Sequence, residues 1–237
     1  MTFVLLMPAA GSGSRLGAAT PKSLIDLAGE PLFVHAIRAF ISHPLCREAL
    51  VAVPAEHLLR YTYLAGRFLP GHSIRFVAGG ATRQQSVQLA LLAAMTKCDC
   101  VLVHDAARPF VSRELIDTVL AAWQPDIAAV VPGVRVTDTL KRATGDPLEV
   151  RATVPRDQLF AVQTPQLLRM DVARRVHALA VEHDFTGTDD VSLVERFDLG
   201  PVRLVQGDSG NIKITTRGDL DSALAMLDTF RIRTTVR

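Results

Sequence analysis

Short apolar runs alternate with longer stretches whose apolar positions recur at helical spacing. Residues 3–7, 49–53, 74–77, 101–104 and 127–131 are apolar almost throughout and predict strands. Residues 31–41, 55–66 and 82–95 predict helices. The first carries Pro31 in its opening turn, where a missing N–H is tolerated. The last sets Val87, Leu91, Ala94 and Met95 on one face. Ser112 is a candidate N-cap for a short helix entered at Leu115. Strands that are apolar on both faces need cover on both. The βαβα order therefore predicts a Rossmann-like α/β fold, a mostly parallel sheet with helices on both faces.

The rhythm breaks between residues 132 and 165. Residues 135–142 and 150–154 mix polar and apolar positions around Thr144-Gly145-Asp146-Pro147, the pattern of a β-hairpin. This hairpin is too polar for the middle of the sheet and is expected to project as an arm; the alternative is a decorated edge loop. Past Pro165 the α/β pattern resumes. Helices are expected over 171–181 and 189–196, a strand over 202–206, an extended stretch over 211–215 and a closing helix over 220–230. No linker composition interrupts the chain. It reads as one domain, 1–237, with an arm at about 132–165.

Composition narrows the class. A chain of 237 residues, 49% apolar, can build a core that needs neither disulfides nor a structural metal, and disorder is excluded. No apolar run approaches the roughly 18 residues of a membrane span. The N-terminus lacks a basic leader, and its apolar run is too short for a signal peptide. Cys46, Cys98 and Cys100 have no framework spacing, which fits a reducing cytoplasm, and Cys98-x-Cys100 lacks a second pair at zinc-site spacing. A net charge of +2 is too small to suggest a nucleic-acid surface. Arginine outnumbers lysine 22 to 4, so each lysine is worth locating: Lys22, Lys97, Lys141 and Lys213.

The first strand runs into Pro8-Ala9-Ala10-Gly11-Ser12-Gly13-Ser14-Arg15-Leu16-Gly17, then Thr20-Pro21-Lys22. Small residues there let the backbone approach a ligand, and their N–H groups can cradle an anion at the carboxyl end of the sheet. The dinucleotide fingerprint fails because Leu16 stands where its third glycine belongs. The phosphate-loop fingerprint fails because Pro21 precedes the lysine. Arg15 and Lys22 on one loop, beside backbone donors, suit a triphosphate and a phosphoryl-transfer transition state. Asp105 ends the fourth strand, where open α/β sheets hold ligands; one carboxylate with phosphate oxygens suits Mg²⁺, and substrate hydroxyls are the alternative. Arg108 is close enough to pair with Asp105 or with substrate. His104 alternates away from Asp105. No Ser/His/Asp or Cys/His constellation stands out.

The stretch Pro8-Ala9-Ala10-Gly-x-Gly-x-Arg15 with Pro21-Lys22 resembles the signature of the sugar- and polyol-phosphate nucleotidyltransferases. The further stretches Gly79-Gly80-x-x-Arg83-x-x-Ser86, Val103-His104-Asp105-Ala106-Ala107-Arg108-Pro109 and Val136-x-Asp138-Thr139-Leu140-Lys141 carry the likeness on. So do Thr153-Val154-x-Arg156, Gln163-Thr164-Pro165-Gln166, Thr188-Asp189-Asp190 and Asn211-Ile212-Lys213-Ile214-Thr215. In this order they resemble the 2-C-methyl-D-erythritol 4-phosphate cytidylyltransferase family of isoprenoid biosynthesis, in its form without a fused cyclodiphosphate synthase domain.

The resemblance implies CTP and a polyol phosphate as substrates, with Mg²⁺. It implies Arg15, Lys22 and Lys213 as catalytic cations. Pro8, Ala9, Ala10, Gly11, Gly13, Gly79, Gly80, Arg83, Ser86 and Ala106 would line the nucleotide. Asp105, Arg108, Thr139, Arg156, Thr164 and Thr188 would serve the acceptor, and Asp105 the metal. In the family the arm crosses to a second subunit, so a homodimer with shared sites is expected, with Thr139 and Arg156 serving the neighbour. A cytidylyltransferase for another polyol phosphate, such as ribitol 5-phosphate, would share the nucleotide loop. A nucleotide-binding module without turnover is the rival from another class. Pro155, just before Arg156, departs from the polar residue expected there and stiffens the arm.

Overall fold

In a computed structural model, which describes residues 1–11 and 20–235, the first strand β1 (Phe3–Pro8) lies in the interior of an eight-stranded sheet. Its side chains alternate between two layers, as the period of a strand requires. Phe3, Leu5 and Met7 enter one core and Val4 and Leu6 the other. A two-residue hairpin, β2 (Asp26–Leu27) and β3 (Glu30–Pro31), leads into helix α1 (Leu32–Ile41). Strand β4 (Cys46–Val53), α2 (Leu58–Phe68), β5 (Arg75–Ala78), α3 (Arg83–Ala93), β6 (Cys100–Val103) and α4 (Arg113–Ala121) follow. β6, β1, β4 and β5 lie side by side and parallel. α1, α2 and α4 cover one face through Phe33, Ile37, Tyr61, Leu115 and Ile116. α3 covers the other through Val87, Ala90 and Leu91.

The helix starts agree with the caps. Ser112 Oγ accepts from the Leu115 N–H at 3.1 Å, and Thr82 Oγ1 does the same for Gln85 at 3.1 Å. α2 is entered by a 3₁₀ turn, Ala55–His57, so its α-helical part starts later than the pattern predicts.

The second half differs from expectation in several places. β7 (Ala129–Arg135) runs straight through Pro132 and Gly133 instead of ending before them. Pro132 has no N–H to donate, but its carbonyl still accepts from the Gln163 N–H at 2.7 Å, so the pairing survives. The arm is accordingly shorter: β8 (Leu140–Thr144) and β9 (Glu149–Val154) pair only with each other among the described strands. Two short antiparallel strands, β10 (Phe160–Val162) and β11 (Gln166–Arg169), return from the arm. β10 pairs with Gly133–Arg135 of β7, while β11 fills the gap between β7 and β6. Helices α5 (Met170–Glu182) and α6 (Val191–Phe197) join α3 on its face, and β12 (Val202–Gln206) pairs parallel with β7.

Residues 211–215, expected to be extended, form no strand. The closing helix α7 (Arg217–Thr235) begins earlier than predicted. Thr216 and Asp219 form a reciprocal capping box there, through Thr216 N–H to Asp219 Oδ2 at 2.7 Å and Asp219 N–H to Thr216 Oγ1 at 3.2 Å. Leu27, Phe110, Ile214, Ala223 and Leu227 form a small third core beneath it.

Candidate active site

The carboxyl ends of β1, β5 and β6 open onto one cleft, where the crossover connections leave the sheet uncovered. Its walls come from four segments: Pro8–Gly11 with Lys22 and Ser23, Gly80–Arg83 with Ser86, Asp105–Ala107, and Lys213 with Thr215. The first segment is held by two anchors. The Ala9 N–H donates to Ala52 O at 2.7 Å, and the buried Ser23 hydroxyl donates to Ala9 O at 2.9 Å while accepting from the Tyr61 hydroxyl at 2.5 Å. Burial pushes the Tyr61 phenol up to about 12, so this link stays protonated.

Gly79 lies behind the cleft wall. A Cβ there would stand 2.6 Å from Ala10 Cβ and 2.9 Å from Ser86 Oγ, so only glycine lets the β5 turn press against the first loop. The neighbouring Gly80 N–H donates to Ser86 Oγ at 3.1 Å, which shapes the turn from which α3 starts.

Charge is concentrated where Arg83, Asp105 and Lys213 line the cleft. Asp105 Oδ1 accepts from Arg83 Nε at 2.8 Å, and its Oδ2 lies 2.6 Å from Lys213 Nζ. Arg83 Nη1 also reaches Asp190 Oδ2 at 2.7 Å. Burial alone would raise the Asp105 pKa, but Arg83 and Lys213 outweigh it and hold the carboxyl well below the usual carboxylate range. Both carboxylate oxygens thus face cations. Among the described residues no group of three or more His, Cys, Asp or Glu side chains stands together as a metal site. Asp105 as placed does not fit the role of a ligand held ready for Mg²⁺.

Lys213 owes its position to its neighbours. Ile214 N–H donates to Ala107 O at 2.9 Å, Arg108 Nη1 to Asn211 O at 2.8 Å, and Asn211 Nδ2 to Thr164 O at 2.8 Å. The Gln163 amide ties the same loop at Asp208, donating to its carbonyl at 2.8 Å and accepting from its N–H at 3.2 Å.

Several expected roles change. Arg108 is not paired with Asp105: it donates to the carbonyls of Asn211 and, at 3.5 Å, Val162. Thr164 is buried rather than lining the cleft; its hydroxyl accepts from the Asp105 N–H at 3.1 Å and donates to His104 Nδ1 at 3.0 Å. His104 is fully buried, with Nε2 on Arg108 O at 3.0 Å, and burial lowers its pKa to about 4, so it is a neutral structural group. Thr188 lines a separate shallow groove with Val131, Val162 and Leu204. Thr139 and Arg156 are exposed on the arm, away from their own chain's cleft, where Arg156 Nη1 donates to Thr137 O. Gly13 and Arg15 lie outside the described residues. Of the remaining expectations, Pro8, Ala9, Ala10, Gly11, Gly80, Arg83, Ser86, Ala106, Lys22, Asp105 and Lys213 come together in the cleft.

Gln166, His177 and Asp190 carry no expected role, yet they lie close behind the site. Gln166 Oε1 accepts from the N–H groups of Asp190 and Val191 at 3.1 and 3.2 Å and so ties down the start of α6. The available signal was polarity inside runs that pack into the core: Gln166 and Asp190 are each 1% exposed.

A mostly parallel sheet with a small-residue loop after its first strand, and with Lys22 and Lys213 lining the cleft at its carboxyl end, has the features of a nucleotide-binding transferase of the α/β class. The chain belongs to the 2-C-methyl-D-erythritol 4-phosphate cytidylyltransferase family, whose model matches residues 3–229. It is 40% identical over 227 residues to the enzyme of that name from Bacillus velezensis, with 96% of each chain covered. It is 42% identical over 227 residues to that from Symbiobacterium thermophilum, covering 94% of this chain and 92% of the relative. Among solved structures, the 2-C-methyl-D-erythritol 4-phosphate cytidylyltransferase of Thermus thermophilus matches with a TM-score of 0.76 at 36% identity, over 96% of this chain and all of that one. The 4-diphosphocytidyl-2C-methyl-D-erythritol synthase of Anaerococcus prevotii matches with a TM-score of 0.81 at 28% identity, over 96% and 98%.

Proposed function

We propose that the chain transfers a cytidylyl group from CTP to 2-C-methyl-D-erythritol 4-phosphate, releasing pyrophosphate. A phosphate monoester has its second pKa near about 6, so the acceptor is a dianion at neutral pH and needs no general base. One of its oxygens attacks the α-phosphorus. The bond from that phosphorus to the bridging oxygen breaks, and the electron pair leaves with pyrophosphate. The difficulty is bringing two polyanions together, which asks for cations and positioning rather than proton transfer. The observation that carries the reading is the placement of Lys22 and Lys213 along one cleft, with the Ala9–Gly11 backbone beside Lys22. Arg15 belongs to the same reading through its place in the sequence motif.

Three further elements complete the proposal. Mg²⁺ would accompany the triphosphate and offset its charge. The enzyme is a homodimer in which the arm brings Thr139 and Arg156 to the partner's acceptor site; a lone two-stranded hairpin is marginal in water, and Leu148 and Val150 on this one are 79% and 65% exposed. The compartment is a reducing cytoplasm, which suits three unpaired cysteines; no helix among the described residues is long and apolar enough to cross a membrane. The test is pyrophosphate release with CTP, UTP and ATP, each crossed with methylerythritol phosphate and ribitol 5-phosphate. Turnover confined to CTP with methylerythritol phosphate is the expected result. Preference for ribitol 5-phosphate, or binding without release, overturns the proposal.

A further inference from the structure

From the cleft wall inward runs a line of side chains with alternating charge. Lys213 Nζ meets Asp105 Oδ2 at 2.6 Å, Asp105 Oδ1 meets Arg83 Nε at 2.8 Å, and Arg83 Nη1 meets Asp190 Oδ2 at 2.7 Å. The other oxygen of Asp190 faces His177 Nε2 at 3.6 Å, within ion-pair reach. The line thus runs from the cleft to helix α5, and its far members are 1% and 3% exposed.

We infer that Asp190 and His177 are positioning residues that hold Arg83 against Asp105 and thereby set where the Lys213 ammonium stands. Deepening the proposed cytidylyl transfer, this inference rests on that reading. The guanidinium is divided between two carboxylates. A buried carboxylate is costly unless it is paired, so Asp190 with Arg83 as its sole partner would draw the guanidinium away from Asp105. His177 supplies a second polar partner and relieves that pull. Its Nδ1 has no hydrogen-bond partner among the described residues, so the contact with Asp190 is the polar role the ring has. Asp190 cannot follow a shift of Arg83 freely, because its own N–H is fixed on Gln166 Oε1 at 3.1 Å. Among the described residues, the ion pair that restrains the Lys213 ammonium is the one with Asp105. Its aim therefore depends on groups it never touches.

The test separates this role from simple packing. His177→Phe keeps the ring's bulk and removes the polar nitrogen that faces Asp190. His177→Gln keeps an N–H near the Nε2 position with less bulk. Steady-state pyrophosphate release and thermal melts are measured for both and for Asp190→Asn. The Phe variant is expected to lose about tenfold in kcat, with the acceptor KM within about twofold, the scale of losing one polar contact to a buried charge. The Gln variant should stay within about threefold of wild type. In the Asp190→Asn background, adding His177→Phe should change kcat by less than about twofold, because the two act through one guanidinium. Wild-type kcat in the Phe variant, a Gln variant worse than Phe, or losses that multiply in full overturns the inference. If the Phe variant does not fold, Asp190→Asn decides: more than half of wild-type kcat overturns it, and a loss of about tenfold supports it. A wild-type chain that releases no pyrophosphate from CTP sinks the functional reading and this inference together, whereas an active wild type with an unaffected Phe variant sinks only the inference.

Discussion

Replacing Asp105 by Asn should lower stability and activity together. The substitution is almost isosteric, so it removes charge without opening a cavity. The Asp105 side chain is 9% exposed, its partner Arg83 28% and Lys213 41%. Removing one member of a buried pair costs about 3–5 kcal/mol. Three features reduce that figure here: Asn keeps a neutral acceptor for Arg83, Arg83 keeps Asp190, and the exposed Lys213 contact is screened by solvent. A loss of about 2–3 kcal/mol remains, which for a chain of this size lowers Tm by about 4–12 °C. The Lys213 ammonium also loses its anchor, so kcat should fall roughly tenfold to a hundredfold. Differential scanning fluorimetry and a coupled pyrophosphate assay read the two effects on one preparation. A variant that melts within about 1 °C of wild type and turns over within about twofold would refute the reasoning. Such a result would mean that the carboxylate neither pairs the two cations in solution nor positions Lys213.

Lys22→Ala should lower kcat by about two to three decades while CTP affinity measured by calorimetry changes far less, because the charge it meets grows in the transition state. Arg156→Ala should raise the acceptor KM and leave CTP binding close to wild type. Mixed with Lys22→Ala subunits, it should recover up to about a quarter of wild-type activity, since half the dimers are mixed and each contains one intact site; no recovery after verified subunit exchange would place the site within one chain. The buried His104 titrates at about 4 when folded and near about 6.5 when unfolded, so the unfolded chain binds more protons between those values. Its contribution is present at neutral pH and fades as pH falls from about 6.5 towards 4; urea melts should show about 2 kcal/mol less stability from this group at pH 5 than at pH 7.5, a slope that His104→Gln should flatten.

The regular part of the fold was legible because its strands are buried on both faces. The unbroken apolar run of β1 and the helical spacing of Val87 and Leu91 each have one reading. β7 was cut short because proline and glycine usually end strands, and nothing local shows that a carbonyl of Pro132 is needed by Gln163 across the sheet. β10 and β11 were missed for a related reason. Each is only three or four residues long and owes its existence to its place beside β7.

The candidate site divides in the same way. The Ala9–Gly11 loop is contiguous in the chain and could be read there. The bond between Arg83 and Asp105 joins residues 22 positions apart, and the pairing of Asp105 with Lys213 spans more than a hundred. The family resemblance puts Arg108 and Thr164 at the acceptor. The fold instead engages both with backbone and buried groups that hold the Lys213 segment and the end of β6.

The two ends of the arm return to the same rung of the sheet. Arg135 pairs with Phe160, and the Val136 N–H donates to Leu159 O at 3.1 Å. Everything between them hangs from a closed gate in the ladder rather than from the core. Because closure entropy grows only slowly with loop length, about 0.6 kcal/mol per doubling, residues 136–159 can lengthen, shorten or exchange sequence while the sheet stays as it is. The arm is in effect a graft site. If acceptor recognition is carried there, as the shared-site reading has it, the choice of acceptor can drift through evolution without disturbing the nucleotide cleft, and a transplanted arm is the natural unit for redesigning it.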